Sequence, residues 1–283
     1  MILDGKVVAA SIKEQLKEEI DAAVANGCRK PRLLIISIGE DPASMMYVRN
    51  KMKAADEVGI IAHHFPMQSD LVTTEYVKES IMLFNADPGY DGIMVQLPLP
   101  KHLNERAIID AIDPAKDVDG LTTTNIGRLR SGQDCLKPCT AAGIIDLCKY
   151  YNIELDGKDV TIIGRSNIVG KPLADLMMAE GATITQCHSH TKQLQNHTDY
   201  ADIVVSAIGQ PKFVTDFYVH GYQTVIDVGI NRDENGKLCG DVDFEGVKDN
   251  VENITPVPGG VGPMTVAELM KNVVIAWKNN RPV

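Results

Sequence analysis

Residues 162–172 read IIGRSNIVGKP, between the apolar run DVTIIG at 159–164 and the helix-forming segment VGKPLADLMMAEG. Gly164 closes the strand, where a missing Cβ permits a sharp turn, and Gly170 falls in the first turn of the helix, where it permits close packing on the sheet. Free N–H groups at such a helix start form an anion site suited to a pyrophosphate. The pattern departs from the usual dinucleotide fingerprint: Ser166 stands at the second glycine position, and the third is displaced to Gly170. An ordinary strand–turn–helix corner has the same spacing, so the motif alone leaves that alternative open. The stretch also imitates a P-loop. There, four residues separate the glycines and a hydroxyl residue follows the lysine to hold Mg²⁺. Here five residues intervene and Pro172 follows Lys171, which argues against a nucleoside triphosphatase.

On either side of this segment, ATITQCH, ADIVVSAIG and TVIDVGIN read as further strands, and AAGIIDLCKYY as a helix. The first half repeats the alternation. Ile12, Leu16 and Ile20 mark a helix over 8–26 closed by Gly27, followed by the strand RLLIISIG at 32–39 and a helix over 44–58 stopped by Gly59. IIAHHFPM is a strand, 75–85 a helix, and DGIMVQLPLP at 91–100 a strand ending in a proline-rich turn. Alternating strands and helices predict an α/β fold with parallel sheets covered on both faces. The 283 residues suit two domains. The expected division is an N-terminal α/β substrate domain, 1–139, and a Rossmann-like cofactor domain, 140–263, with a cleft between them and a boundary near Pro138. The loop PVPGGVGP suits a crossover, so the helix over 265–279, within a tail spanning 264–283, is expected to return to the N-terminal domain. Asn235-Gly236 is a hairpin-type turn.

The formal charge of −10 disfavours nucleic-acid and membrane-surface partners, whose phosphates would be repelled. Six cysteines in so large a chain need form no disulfide framework, and the pair Cys135 and Cys139 has no second pair to complete a zinc site, so no metal is expected. Asp4 and Lys6 interrupt any signal-peptide core, and no apolar run reaches the ~20 residues that span a bilayer, so the expected location is the cytoplasm.

Ser44, Tyr47 and Lys51 fall at i, i+3 and i+7 and share one helix face. A lysine so placed is ordinarily a solvated surface residue. Gln96, at the carboxyl end of a strand where α/β clefts form, raises its interest. Asp117 and Asp119 in AKDVDGL at 115–121 are either loop caps or acceptors for the N–H groups of a heterocycle. His63 and His64 read as strand residues, and Cys139 has no histidine near it in sequence to make it a nucleophile. In a dinucleotide fold, an acid about 20 residues after the glycine turn binds the ribose 2′-hydroxyl and repels a 2′-phosphate. The corresponding stretch, ATITQCHSHTK at 182–192, contains no Asp or Glu; it offers Ser189, flanked by His188, His190 and Lys192. Arg165, next to the turn glycine, can present a fork of N–H donors to the same edge. Either Ser189 caps the following segment and Arg165 faces solvent, or the two mark a site for NADP rather than NAD.

YVRNKMKAADEVGI, DGIMVQLPLP, KDVDGLT, PCTAAGI, GRSNIVGKPLA, ADIVVSAIGQP, VIDVGIN and TPVPGGVGPMT occur in this order. Together they resemble the signature segments of the bifunctional methylenetetrahydrofolate dehydrogenase/methenyltetrahydrofolate cyclohydrolase family, over nearly the whole chain. The resemblance implies NADP-dependent oxidation of 5,10-methylenetetrahydrofolate and hydrolysis of the methenyl product to 10-formyltetrahydrofolate. It implies Lys51 as the cyclohydrolase acid/base with Tyr47 as its neighbour, and Gln96 positioning the one-carbon unit and the water. Val95 and Leu97 would lie beside the substrate, and Asp119 would hold the pterin. Pro258, Gly259, Gly260, Val261 and Gly262 would form a substrate loop, and Gly164, Arg165, Ser166, Ser189 and Ile230 would contact NADP. It also implies a homodimer, to which a hairpin at Asn235-Gly236 could lend an edge strand. The rival readings are a family member with one activity, another two-domain dehydrogenase, for instance one acting on a shikimate-like acid, and a silent NADP sensor. A carboxylate substrate would want a cationic clamp, whereas VQLPLP offers amides and apolar surface; a sensor has no use for Lys51.

Overall fold

The structure, a computed structural model, describes residues 1–280 and divides into two compact units. The chain order is α1 (Gly5–Ala25), β1 (Arg32–Ile38), α2 (Pro42–Val58), β2 (Ile61–Met67), α3 (Thr74–Ala86), β3 (Gly92–Val95), α4 (Glu105–Ile109), α5 (Thr123–Arg130), α6 (Cys139–Tyr150), β4 (Asp159–Ile163), α7 (Gly170–Ala179) and β5 (Thr183–Cys187). Then follow α8 (Leu194–Thr198), β6 (Ile203–Ser206), β7 (Gly221–Asp227), β8 (Asn231–Arg232), β9 (Leu238–Cys239), α9 (Phe244–Val247), β10 (Val251–Ile254) and α10 (Val261–Asn279).

One unit comprises Ser11–Cys139 and the chain from Val266. Its sheet is parallel in the order β2-β1-β3. The central strand alternates its faces with a period of two. Leu33 and Ile35 join Leu16 and Ile20 of α1, Val48 and Val58 of α2, and Leu269, Met270, Val273 and Trp277 of α10 in one core. Leu34 and Ile36 join Val77 and Ile81 of α3 and Ile108 of α4 in the other. Burial on both faces explains why β1 reads as a continuous apolar run. Two local devices aim the functional helix and strand. Asp41 caps α2 by accepting the Ser44 N–H at 2.8 Å, with Pro42 in the first turn. The Lys116 ammonium donates to the carbonyls of Asn85 and Asp87 (2.8 and 2.7 Å) at the carboxyl end of α3. The same stretch is tied to β3 by the Ile93 N–H to Lys116 carbonyl bond (2.7 Å). The strand expected over 91–100 is the shorter β3, because backbone pairing with β1 ends at Val95 and the turn with Pro98 and Pro100 follows.

The other unit comprises Met1–Ala10 and Thr140–Thr265. Its five parallel strands run β10-β7-β6-β4-β5. Ile163, Val204, Val225 and Ile254 lie in its core. Residues 1–10, expected with the N-terminal domain, group here instead. The Leu3 N–H donates to Ile254 O (2.8 Å) and the Ile254 N–H to Met1 O (3.0 Å), so the first residues pair alongside β10. The hairpin expected at Asn235-Gly236 is formed by β8 and β9. The last helix begins at Val261 rather than 265, with Pro263 in its first turn, where a missing N–H costs nothing.

Candidate active site

Both sheets share a feature that locates sites. From β1 the chain goes to β2 on one side and to β3 on the other; from β4 it goes to β5 on one side and to β6 on the other. Crevices at the carboxyl ends of strands open at such reversals.

In the first unit the reversal lies between β1 and β3. Gln96, directly after β3, donates its backbone N–H to Ile36 O of β1 at 2.8 Å. Its side-chain Oε1 accepts from Lys51 Nζ of α2 at 3.0 Å, and its Nε2 donates to Leu97 O at 2.7 Å. The amide is therefore oriented: its NH₂ is held by its own chain and its oxygen faces the lysine. Val95 is buried at the end of β3, and Tyr47 stands one turn before Lys51 on α2, partly buried. Residues 116–118 run beside β3 through the Ile93–Asp117 bridge, which carries Asp119 to the same end of the sheet. Asp119 lies close enough to Lys51 for the ammonium to act on its carboxyl. Burial pushes the Asp119 carboxyl above the usual carboxylate range, Lys51 pulls it back, Asp117 pushes it further up, and the neighbouring Cys139 lowers it.

The two aspartates have separate tasks. Asp117 is fully buried and accepts the N–H groups of Leu121 (3.2 Å) and Thr122 (2.8 Å) and the Asn125 amide (2.9 Å), so it shapes the turn. Cys139 donates its thiol to Val118 O at 3.2 Å, and burial, with Asp119 and Glu268 nearby, pushes that thiol well up. It is a neutral thiol and not a poised nucleophile. Sequence reasoning missed Asn272 of α10, whose Nδ2 donates to Val118 O and Lys137 O, both at 2.8 Å, and so clamps the Asp119 loop from beneath. The available signal was a polar residue within the apolar run of the last helix. His63 and His64 lie in β2, paired with Tyr90 (2.9 Å) and Ser37 (2.8 Å).

In the second unit the reversal lies between β4 and β6. Gly164 has φ +129°, and a Cβ there would lie 2.4 Å from Ala207 O; one on Gly170 would lie 2.3 Å from Gly164 O. Only glycine fits either place, and their contact holds the turn open at the start of α7. Ser166 Oγ accepts the N–H groups of Val169 (3.2 Å) and Gly170 (3.4 Å). Arg165 is exposed beside the turn. After β5, the His190 N–H donates to His188 Nδ1 (3.1 Å), so the exposed Ser189 sits at the apex of a tight turn. Desolvation first, then the nearby Arg165 and His190, pull the His188 imidazole below its ordinary pKa, which places Arg165 within electrostatic reach of the Ser189 turn. Ile230, exposed, approaches the first turn of α10: a Cβ on Gly262 would lie 3.9 Å from Ile230 Cδ1. Pro258, Gly259 and Gly260 form the turn before α10, closed by the Gly260 N–H to Pro256 O bond (2.7 Å), while Val261 and Gly262 open the helix. Among the described residues no group of His, Cys, Asp and Glu could hold a metal ion.

Comparison with known proteins also breaks the chain between residues 119 and 138. Residues 3–119 match the family described as tetrahydrofolate dehydrogenase/cyclohydrolase, catalytic domain, and residues 138–281 match its NAD(P)-binding domain. The chain is 50% identical over 277 residues to a bifunctional protein FolD of Agathobacter rectalis, covering 98% of this chain and 99% of that one. It is similar to the crystal structure of the bifunctional FolD methylenetetrahydrofolate dehydrogenase/cyclohydrolase from Campylobacter jejuni, with TM-score 0.96, 43% identity and 99% of both chains covered. It also resembles the Trypanosoma brucei methylenetetrahydrofolate dehydrogenase-cyclohydrolase solved with NADP and an inhibitor, with TM-score 0.93, 36% identity, and 99% and 97% of the two chains covered. On these grounds the chain belongs to the tetrahydrofolate dehydrogenase/cyclohydrolase family.

Proposed function

We propose that the chain oxidises 5,10-methylenetetrahydrofolate with NADP and hydrolyses the resulting methenyl compound to 10-formyltetrahydrofolate. The unit of Ser11–Cys139, with the chain from Val266, binds the folate, and the unit of Thr140–Thr265 binds the cofactor. The observation that carries the reading is the Lys51–Gln96 hydrogen bond at the carboxyl end of β3, with Asp119 within electrostatic reach.

The chemistry follows from these groups. NADP, when bound, supplies the hydride acceptor; the turn that only glycine can make at Gly164, packed against Gly170, leads into the start of α7, which would hold the pyrophosphate. Arg165, Ser189 and the neighbouring histidines would receive the 2′-phosphate, and Ile230 would lie against the cofactor. Oxidation calls mainly on alignment. Asp119 accepts N–H groups of the pterin, and Gln96 and Tyr47 border the one-carbon unit with Val95 and Leu97. A pterin donating to Asp119 would favour the ionised carboxylate that burial disfavours. Hydrolysis adds water to the methenyl carbon, and Lys51 Nζ, held by Gln96 Oε1, is the group that takes and returns the proton.

We also assign the protein to a reducing, cytoplasmic setting, where its six free thiols are stable. No helix among the described residues is long and apolar enough to cross a membrane. A homodimer is the expected assembly. β2 lies at the edge of its sheet with Ile61 and Phe65 more than a third exposed, and α3 beside it exposes Met82 and Leu83. Analytical ultracentrifugation should give a mass near twice the 30.9 kDa of one chain, and a monomer at micromolar concentration would remove that part. The activities are tested by omission. Methenyltetrahydrofolate alone should be hydrolysed without nucleotide, and methylenetetrahydrofolate should react only when NADP is added. An enzyme that performs one of these reactions and not the other would reduce the reading to a monofunctional family member.

A further inference from the structure

The cofactor unit contains two buried carboxylates that the mechanism above does not use. Asp227 ends β7, and Asp241 follows β9; both are almost wholly withdrawn from solvent. Asp227 is committed to its own neighbourhood. Its Oδ1 accepts the N–H groups of Gly229 (3.0 Å) and Asp241 (2.9 Å), and its Oδ2 accepts that of Val242 (2.9 Å). The fit is tight: a Cβ on Gly240 would lie 1.7 Å from Asp227 Oδ2. Asp227 thus anchors the backbone of Asp241.

Asp241 reaches the other way. Its Oδ2 accepts the N–H groups of Ile208 (2.8 Å) and Gly209 (3.2 Å) and the hydroxyl of Ser206 (3.2 Å). Its Oδ1 accepts the N–H of Gln210 and the amide of Asn231, both at 2.9 Å. Three consecutive backbone amides of one loop therefore converge on one carboxylate, and the same carboxylate holds the residue after Ile230. That loop, 206–210, leaves the carboxyl end of β6 at the reversal between β4 and β6. The Ala207 N–H donates to Ile163 O (2.8 Å), and Ala207 O stands where a Cβ of Gly164 would be.

We propose that Asp241 is a positioning residue for the dinucleotide: through its five hydrogen bonds it fixes loop 206–210 and the Ile230–Asn231 segment as two walls of the crevice beside Gly164. The inference rests on the reading of this unit as the NADP site. Both oxygens of the buried Asp241 carboxylate are taken by protein donors, so it acts by setting backbone. An isolated loop after a strand is mobile, and a loop that must be ordered by the ligand lowers affinity. The carboxylate orders it beforehand, and burial among donors makes those bonds strong.

Asparagine at this position keeps the shape but has one accepting oxygen, and its NH₂ would face N–H donors. Asp241→Asn should raise the NADP Kd measured by titration calorimetry, and the NADP KM, by about tenfold or more, the scale of losing charged hydrogen bonds. Hydrolysis of methenyltetrahydrofolate, which needs no nucleotide, should stay within about threefold of the wild type, by the additivity expected of independent sites. An unchanged NADP Kd in the folded variant would overturn the proposal, and so would equal losses of hydrolysis and NADP affinity, which would mark Asp241 as general scaffold. If Asp241→Asn does not fold, Asn231→Ala removes a single donor and should give a smaller rise in NADP Kd with hydrolysis intact; no rise would overturn the proposal as well. Wild-type protein that binds no NADP would fail the functional reading itself, a result distinct from either outcome in the variants.

Discussion

Replacing Lys51 with methionine separates the two reactions. The unbranched side chain keeps the stem on α2 between Val48 and Ala54 and deletes the ammonium. The hydrogen bond to Gln96 Oε1, 3.0 Å in the wild type, is lost, yet Gln96 stays oriented by its Nε2 bond to Leu97 O at 2.7 Å. What disappears is a proton carrier and not the frame around it. General acid–base catalysis is worth about 10²–10⁴-fold, or roughly 3–5 kcal/mol of barrier, so hydrolysis of methenyltetrahydrofolate should fall by that factor. NADPH formation from methylenetetrahydrofolate, which depends on alignment, should fall far less. A second effect follows from charge. Lys51 opposes the burial that pushes Asp119 up, so its loss moves the Asp119 carboxyl further up and should raise the folate KM in both assays. The assay follows loss of methenyl absorbance without nucleotide, and NADPH absorbance with it. Near wild-type hydrolysis by the methionine variant would refute the role given to Lys51.

Asp119→Ala should damage both reactions by about 1.5–3 kcal/mol of transition-state stabilisation, because both need a held pterin; wild-type kinetics in both would move the substrate site elsewhere. Asp119 also carries a sign prediction. With its carboxyl raised in the folded protein, the native state binds more protons than the unfolded chain between the ordinary carboxylate pKa and the raised value, so its stabilising contribution is full at acid pH and is lost as pH rises through that window. Asp119→Asn should therefore raise the Tm of the ligand-free protein more at pH 8 than at pH 4, and the reverse order would reject the shift. Arg165→Ala should weaken NADP by about tenfold and NAD little, as expected for a charge-assisted bond to a 2′-phosphate; equal losses would remove that site. Trp277→Ala, in the core beneath β1, should cost about 3–5 kcal/mol in urea unfolding, and a cost below 1 would contradict its burial.

Much of this was legible in the residues because local rules and global packing agree. The continuous apolar run of β1 and the glycine directly after β4 announce themselves, since a buried parallel strand must be apolar and a crevice turn must lack side chains. Lys51 and Gln96 were legible by type, and their contact depended on the β1–β3 pairing that brings α2 and the end of β3 together. What escaped had non-local causes. β10 is four residues with two polar ones, and it is a strand because β7 lies beside it. Met1–Leu3 have no strand signal beyond three residues; they pair because β10 leaves an edge. Asn272 and Asp241 are single polar residues that reach Lys137 O and Gly209 N, 135 and 32 positions away, separations that no motif records.

One chain is expected to carry the carbon of 5,10-methylenetetrahydrofolate through oxidation with NADP and then hydrolysis. A single reaction of purified protein with that substrate and limiting NADP, analysed for NADPH and for 10-formyltetrahydrofolate, tests it most directly. One mole of each is expected per mole of NADP consumed, with hydrolysis faster than the uncatalysed rate. NADPH without enzyme-accelerated 10-formyl product, or no NADPH at all, would contradict it.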